Sequence, residues 1–256
     1  MSAVTPPPEL SLTPVSAGTH LGHDGPVLAP DDAVLDAPAW SALTGAHAAF
    51  ALGNDLVKHY PDDVSPFTGV RSWQDPDVWD ALVDVFGPGA EISISHADPQ
   101  LPDGWEETRR GSGLQLVETP RLVAEPSEEA VELGADDVDE MLAIVSRNQP
   151  GPFLPRTREL GRYVGIRREG RLVAMAGERL RPDGWTEISA VSTDESHRRQ
   201  GLASRLVLDV VHGIRARGDR AMLHASETNA GAVAAYEKLG FEIRRRVTFL
   251  GVRAPR

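Results

Sequence analysis

Between Glu187 and Ala203 the chain reads Glu-Ile-Ser-Ala-Val-Ser-Thr-Asp-Glu-Ser-His-Arg-Arg-Gln-Gly-Leu-Ala. This composition suits the holding of an anion. A strand-like run passes into a short polar segment, and a helical pattern begins just after it. The segment carries two adjacent cations, Arg198 and Arg199, and a glycine, Gly201. The first N–H groups of a helix have no intrahelical partner and point outward, which makes a helix start an anion site. Glycine lets a phosphate come close to the backbone. The chemistry expected here is phosphate or pyrophosphate binding.

Other chemistries find less support. The chain has no cysteine, which excludes disulfides, thiolate ligands and a cysteine nucleophile. Its eight histidines are scattered without metal-ligand spacing, so no metal is expected, and His212 and His224 read as structural. Ser16 to His23 holds Ser and His but no nucleophile-elbow motif. Gly161 to Gly165 suits a strand, with no helix following it.

Those residues need a scaffold to position them. Arg162–Arg167, Arg171–Leu180 and Trp185–Thr193 read as three successive strands, with turn signals at Glu169-Gly170 and Arg181-Pro182-Asp183-Gly184. Residues 201–217 read as a helix with Leu202, Leu206, Val210, Val211 and Ile214 on one face, stopped by Gly218. Arg220–Ala225 is a short strand. Asn229 caps a second helix that ends at Leu239-Gly240, and Phe241–Leu250 is the last strand. The order β-β-β-α-β-α-β predicts one mixed sheet with helices on its faces. Upstream, Asp136–Ser146 reads as a helix and Gln149–Pro155 as a loop. Residues 31–60 show helical spacing at Trp40, Leu43, His47, Phe50 and Leu56, and Trp73–Phe86 reads as another helix. Glu91–His96 and Gly111–Val117 read as strands. A proline-containing acidic stretch over 119–132 suggests a boundary. The division expected is a lead-in over 1–30, an N-terminal α/β region over 31–120 and a C-terminal domain over 121–256.

Arg198-x-x-Gly201-x-Ala203 resembles the R/Q-x-x-G-x-G/A signature of the GCN5-related N-acetyltransferases (GNAT). Asn229-Ala-Gly-Ala-Val-Ala-Ala-Tyr236-Glu-Lys-Leu-Gly240-Phe241 is similar to a second segment of that family. The two lie about 30 residues apart, and the stretch from Gly184 onward is most similar to the FR47-like branch. The resemblance covers roughly residues 136–250. It implies a mixed-sheet α/β acetyltransferase fold, with the N-terminal region read as a degenerate second GNAT-like half. Two departures stand out: Ala203 takes the third motif position, and Ser196-His197 replaces the usual approach to the arginine.

The resemblance implies roles as well. The backbone of Val191, Ser192 and Thr193 is expected to hold the pantetheine arm of acetyl-CoA, the acyl-donor co-substrate. The loop Arg198-Arg199-Gln200-Gly201-Leu202-Ala203-Ser204 is expected to hold the pyrophosphate, with Asn229 near the thioester. Tyr236 stands where many members place a general acid, since a phenol can protonate a leaving thiolate. Glu187, on the cofactor strand, is the candidate base for the amine. Residue type alone leaves Tyr236 open to a packing role, Glu187 to a solvent-facing one and Asn229 to capping alone. The Phe153–Thr157 loop is either part of the acceptor site or a plain connector. The activity implied is acetyl transfer to a small-molecule or peptide amine. The alternatives are a non-catalytic acyl-CoA-binding regulatory module and transfer to a hydroxyl.

Net charge is −12, which argues against a general nucleic-acid binder. The charge is uneven: residues 186–256 hold 12 Lys/Arg against 8 Asp/Glu, and the rest hold 14 against 30. A basic segment in an acidic chain suits a small anionic ligand. No apolar run approaches the roughly 20 residues of a membrane helix, and residues 1–14 lack signal-peptide features. The expectation is a cytoplasmic enzyme without a membrane partner, in a fold that often dimerises.

Overall fold

The computed structural model describes residues 30–95, 97–148 and 151–256. The proline-rich lead-in and the Ser16–His23 segment lie outside the described residues. A 3₁₀ turn over Pro30–Asp36 leads into α1 (Pro38–Thr44), β1 (Leu52–Gly53), β2 (Val57–His59), β3 (Thr68–Val70), α2 (Val78–Phe86), β4 (Glu91–Ser95) and β5 (Glu106–Glu118). Then come β6 (Val131–Glu132), α3 (Val138–Asn148), β7 (Tyr163–Arg168), β8 (Arg171–Glu178), β9 (Trp185–Thr193), α4 (Leu202–Ala216), β10 (Arg220–Ser226), α5 (Ala230–Leu239) and β11 (Phe241–Arg253).

All eleven strands join one sheet in the order β1-β2-β3-β4-β11-β5-β10-β9-β8-β7-β6. One succession occurs twice. Three antiparallel strands, a helix and a strand parallel to the third make up β1-β2-β3-α2-β4. The same succession makes up β7-β8-β9-α4-β10. The two runs enter the sheet from opposite ends and meet at an exchange. β5, which follows β4 in the chain, pairs with β10, and β11, which follows β10, pairs with β4. β5 and β11 lie against each other in the middle. The acidic stretch over 119–132 therefore follows a strand that sits between β10 and β11. One core also spans both halves, with Leu43, Tyr60 and Phe67 packed with Leu180, Trp185 and Met222.

The helical reading over residues 31–60 is corrected. Only α1 is α-helical there, because Gly45 ends it and a 3₁₀ turn and two short strands follow. The helix read over Trp73–Phe86 starts later, at Val78. From residue 163 onward every element that was read is present, and β9 has the bounds read for it.

α4 forms because Leu202, Leu206, Val207, Val210, Val211 and Ile214 fall on one buried face against β7, β8, β9 and β10. Burying each contributes about 1.5–3 kcal/mol. That packing fixes where the helix begins, and so where its unpaired N–H groups point. Among the described residues, no helix is long and apolar enough to cross a membrane.

Candidate active site

Parallel pairing between β9 and β10 runs only from Trp185/Arg220 to Ile188/Leu223. Beyond it the strands part, while β10 stays paired to β5 as far as Ser226. The parting opens a cleft of about 620 Å³ at the C-terminal ends of the strands, within the range of small-ligand sites.

A bulge shapes one wall. Between the pairs Met175/Ser192 and Gly177/Ser189, one residue of β8, Ala176, faces two of β9, Ala190 and Val191. Ala190 takes a left-handed backbone there, with φ 54°. A bulge leaves backbone outside the ladder and re-aims the following residues. Just beyond it, the Ser192 and Thr193 hydroxyls are buried with no hydrogen-bond partner. Orphaned buried donors beside an open cleft are costly unless something enters to satisfy them.

The loop after β9 turns tightly, with Arg199 at φ 63° and Gly201 at φ 76°. Gly201 precedes α4, and a Cβ on it would project into open space. The N–H groups of Leu202, Ala203 and Ser204 head the helix without intrahelical acceptors. Arg199 makes no ion pair among the described residues. Arg198 is engaged: its Nη2 donates to Asn148 Oδ1 at 2.7 Å and its Nε to Thr193 O at 3.4 Å.

Val191, Ser192, Thr193, Arg198, Arg199, Gly201, Leu202, Ala203, Ser204, Asn229 and Tyr236 all line this one cleft. Gln200 does not, and its carbonyl accepts from Arg205 Nη2 at 3.2 Å. Asn229 caps α5, its Oδ1 accepting from Ala232 N at 3.1 Å. Tyr236 stands half-buried on α5, edge-on to Phe241. Burial pushes its hydroxyl up to about 12.

Glu187 departs from the exposed carboxylate expected of a base. It is fully buried and does not line the cleft. Arg179 grips it at both oxygens, Nη2 to Oε1 at 2.6 Å and Nε to Oε2 at 2.9 Å, and Leu180 N donates to Oε2 at 3.3 Å. Burial alone would raise its pKa. The Arg179 charge and hydrogen bonds, with that of His224, outweigh burial and hold the carboxyl far below the usual range. A carboxylate so held is a poor proton acceptor.

His224, read as structural, is what the cleft meets instead. It sits on β10 at the point where the strands part and lines the cleft. Its Nδ1 lies 2.7 Å from Glu187 Oε1. A lone histidine in a strand offers no spacing signal, and its partner is 37 residues away.

The first half has a smaller opening at the corresponding place, about 190 Å³ between α1, the end of β3 and the end of β4. α1 lies directly on β3, where a Cβ on Gly69 would meet the Trp40 backbone at 2.7 Å. Asp75 and Asp77 precede α2, and Asp75 already holds Arg71 at 2.6 Å. Carboxylates at a helix start repel a phosphate.

A structure from Novosphingobium aromaticivorans assigned to the GNAT family of acetyltransferases is 32% identical. The match covers 87% of this chain and 99% of that one, with a TM-score of 0.78. This chain belongs to the GNAT family. The family model described as FR47-like protein matches residues 163–250, the half that holds the cleft. A GCN5-related N-acetyltransferase from Kribbella flavida shares the GNAT fold at 22% identity over 85% of this chain and 95% of its own, with a TM-score of 0.57. A mycothiol acetyltransferase from Thermomonospora curvata is 39% identical over 75 residues. That match takes in 29% of this chain and 25% of the other, so the chain spans about a quarter of that relative. As a GNAT protein the chain is an acyltransferase.

Proposed function

We propose that this GNAT protein moves an acetyl group from acetyl-CoA to an amine, by direct attack of the amine on the thioester. The observation that carries the reading is the cleft: a helix start with three unpaired N–H groups at one end and unpartnered Ser192 and Thr193 hydroxyls along one wall. A diphosphate with an extended amide-bearing arm matches both features in charge and in hydrogen bonding. The donor supplies an activated acyl group, so the protein's work is placement and proton transfer.

In this reading Arg199 and the N–H groups from Leu202 to Ser204 bind the pyrophosphate. The backbone from Val191 to Thr193 aligns the arm, and Asn229 lies near its end. Tyr236 holds a proton for the departing thiolate. The amine's proton leaves through water toward the Glu187–His224 pair, whose Oε1 to Nδ1 contact lies where the strands part. The acceptor is a small molecule or the amine of a peptide. The mycothiol acetyltransferase match is consistent with a small amine-bearing acceptor.

Release of CoA thiol from acetyl-CoA, followed with a panel of amines and matched alcohols, tests the proposal. At least one amine is expected to raise the rate well above hydrolysis. Donor binding with no acceptor-dependent release would favour a non-catalytic acyl-CoA-binding module, and alcohols outrunning amines would favour O-acyl transfer.

A further inference from the structure

Two donors beside the strand parting have nothing among the described residues to donate to. The first is the third nitrogen of Arg179. Its Nε and Nη2 are engaged with Glu187, and its guanidinium lies over the Phe67 ring of the first half, 4.7 Å from the centroid. Nη1 makes no hydrogen bond among the described residues. A Cβ on Gly151, in the exposed loop after α3, would come within 3.8 Å of Nη1, so that nitrogen turns toward the loop. Arg179 itself lines the cleft.

The second is the hydroxyl of Tyr163. Tyr163 on β7 stands opposite Gly177 on β8, and Gly177 stands opposite Ser189 on β9. Residues directly opposite one another share a face of the sheet. The Tyr163 ring lies over Gly177, where a Cβ would meet it at 2.1 Å. The glycine thus lets the ring pass toward β9, where Ser189 lines the cleft. The ring packs edge-on to Phe153, with 5.4 Å between centroids, and the side chain is almost wholly buried. Its hydroxyl has no hydrogen-bond partner. It lies in the field of Arg179 and Glu187, on the side of the cleft, and burial keeps its hydrogen in place. Phenylalanine would serve packing better, since an unmet buried hydroxyl lowers stability.

We propose that Tyr163 and Arg179 form the acceptor subsite: the Tyr163 hydroxyl and Arg179 Nη1 donate together to an oxygen that the acceptor carries close to its amine. The proposal rests on the amine-acyltransferase reading above, in which the thioester lies at the parting of β9 and β10. Tyr163 packs with α3, on the face of the sheet opposite α4, so the acceptor comes from the face away from the loop read as holding pyrophosphate. The charge of Arg179 is already balanced by Glu187, which leaves no net positive charge for a carboxylate. An uncharged carbonyl oxygen fits, because its two lone pairs suit two converging donors. The acceptor class is therefore an amine with a neighbouring carbonyl, such as an amino-acid amide or the end of a peptide. The first half serves this subsite through Phe67, which holds the guanidinium plane.

Calorimetric titration of the CoA-loaded full chain with glycinamide, isobutylamine and glycine is the test. The three share the amine and differ in the end group: a carbonyl, the same outline without oxygen, and a carboxylate. CoA brings no acetyl group, so binding is read without turnover. At a pH that holds all three amines protonated, glycinamide is expected to bind about tenfold or more tightly than isobutylamine, and more tightly than glycine. Tyr163→Phe should narrow the glycinamide-to-isobutylamine ratio by about 3- to 10-fold. Its CoA affinity should stay within about twofold of the parent, and its melting temperature should be no lower, because the lost hydroxyl has no partner in the free protein. Equal binding of glycinamide and isobutylamine by the parent, a comparison that needs no variant to fold, would overturn the proposal. So would a ratio unmoved by Tyr163→Phe, or tighter binding of glycine. If glycinamide is preferred but no amine is acetylated from acetyl-CoA, the subsite stands and the amine-transfer reading fails. If amines are acetylated without regard to the oxygen, the amine-transfer reading stands and the subsite fails.

Discussion

Glu187→Ala is expected to lower the stability of the protein by about 3–5 kcal/mol, the range for breaking one side of a buried ion pair. The substitution leaves the Arg179 guanidinium, only 10% exposed, without its counter-charge. The remaining contact of Arg179 is the face of Phe67, 4.7 Å from the ring centroid, which cannot replace a bidentate carboxylate. His224 also loses the acceptor for Nδ1. Glu187→Gln keeps one acceptor oxygen and is expected to recover part of the loss. The sign of the pH dependence follows from the lowered pKa. A carboxyl held below its unfolded value contributes stability that is complete above that value and fades as pH falls toward the folded one. Urea unfolding is therefore expected to show a constant gap between parent and Glu187→Ala above about pH 5, narrowing as the pH is lowered further. A gap under 1 kcal/mol at pH 7 would contradict the buried pair.

Tyr236→Phe is expected to lower kcat by about 10²- to 10⁴-fold, the usual worth of a positioned general acid. Acetyl-CoA affinity should hold, because the ring and its edge contact with Phe241 remain. The hydroxyl makes no hydrogen bond among the described residues, so the substitution strands no partner. With its pKa pushed up to about 12, Tyr236 keeps its proton throughout the working range. The pH–rate profile should accordingly show no loss from tyrosine ionisation below about pH 11. Steady-state kinetics of the two proteins decides this, and an unchanged kcat would return Tyr236 to a packing role.

The second half was legible because each of its elements carries its own local signal. β9 follows directly on a turn signal at Pro182-Asp183-Gly184, α4 has a single apolar stripe, and Gly201 and Gly240 mark a helix start and a helix end with left-handed backbone. The first half was not, and the reasons are physical. β1, β2 and β3 are two or three residues long, too short for a period-two pattern to register. Trp40, Leu43 and His47 do keep helical spacing, but Gly45 stops the helix between them and the residues beyond pack as loop and strand. The exchange of β5 and β11 is set by pairing across more than a hundred residues, which no local window contains.

At the site, the loop proposed to hold phosphate could be picked out because charge, glycine and helix start coincide within a few residues. His224 could not, because its partner Glu187 is remote in sequence, and the left-handed residue of the β9 bulge is Ala190, without the glycine that would announce it.

The central claim is that the parting of β9 and β10 receives acetyl-CoA, with its pyrophosphate on the start of α4. Calorimetric titration of the whole chain with acetyl-CoA, beside Gly201→Glu, tests it most directly. The account predicts micromolar binding of about one donor per chain, since the corresponding opening in the first half is only about 190 Å³ and has Asp75 and Asp77 at its helix start, and loss of that binding when a carboxylate occupies the open space at Gly201. Absence of binding by the parent chain, or equal binding by Gly201→Glu, would contradict it.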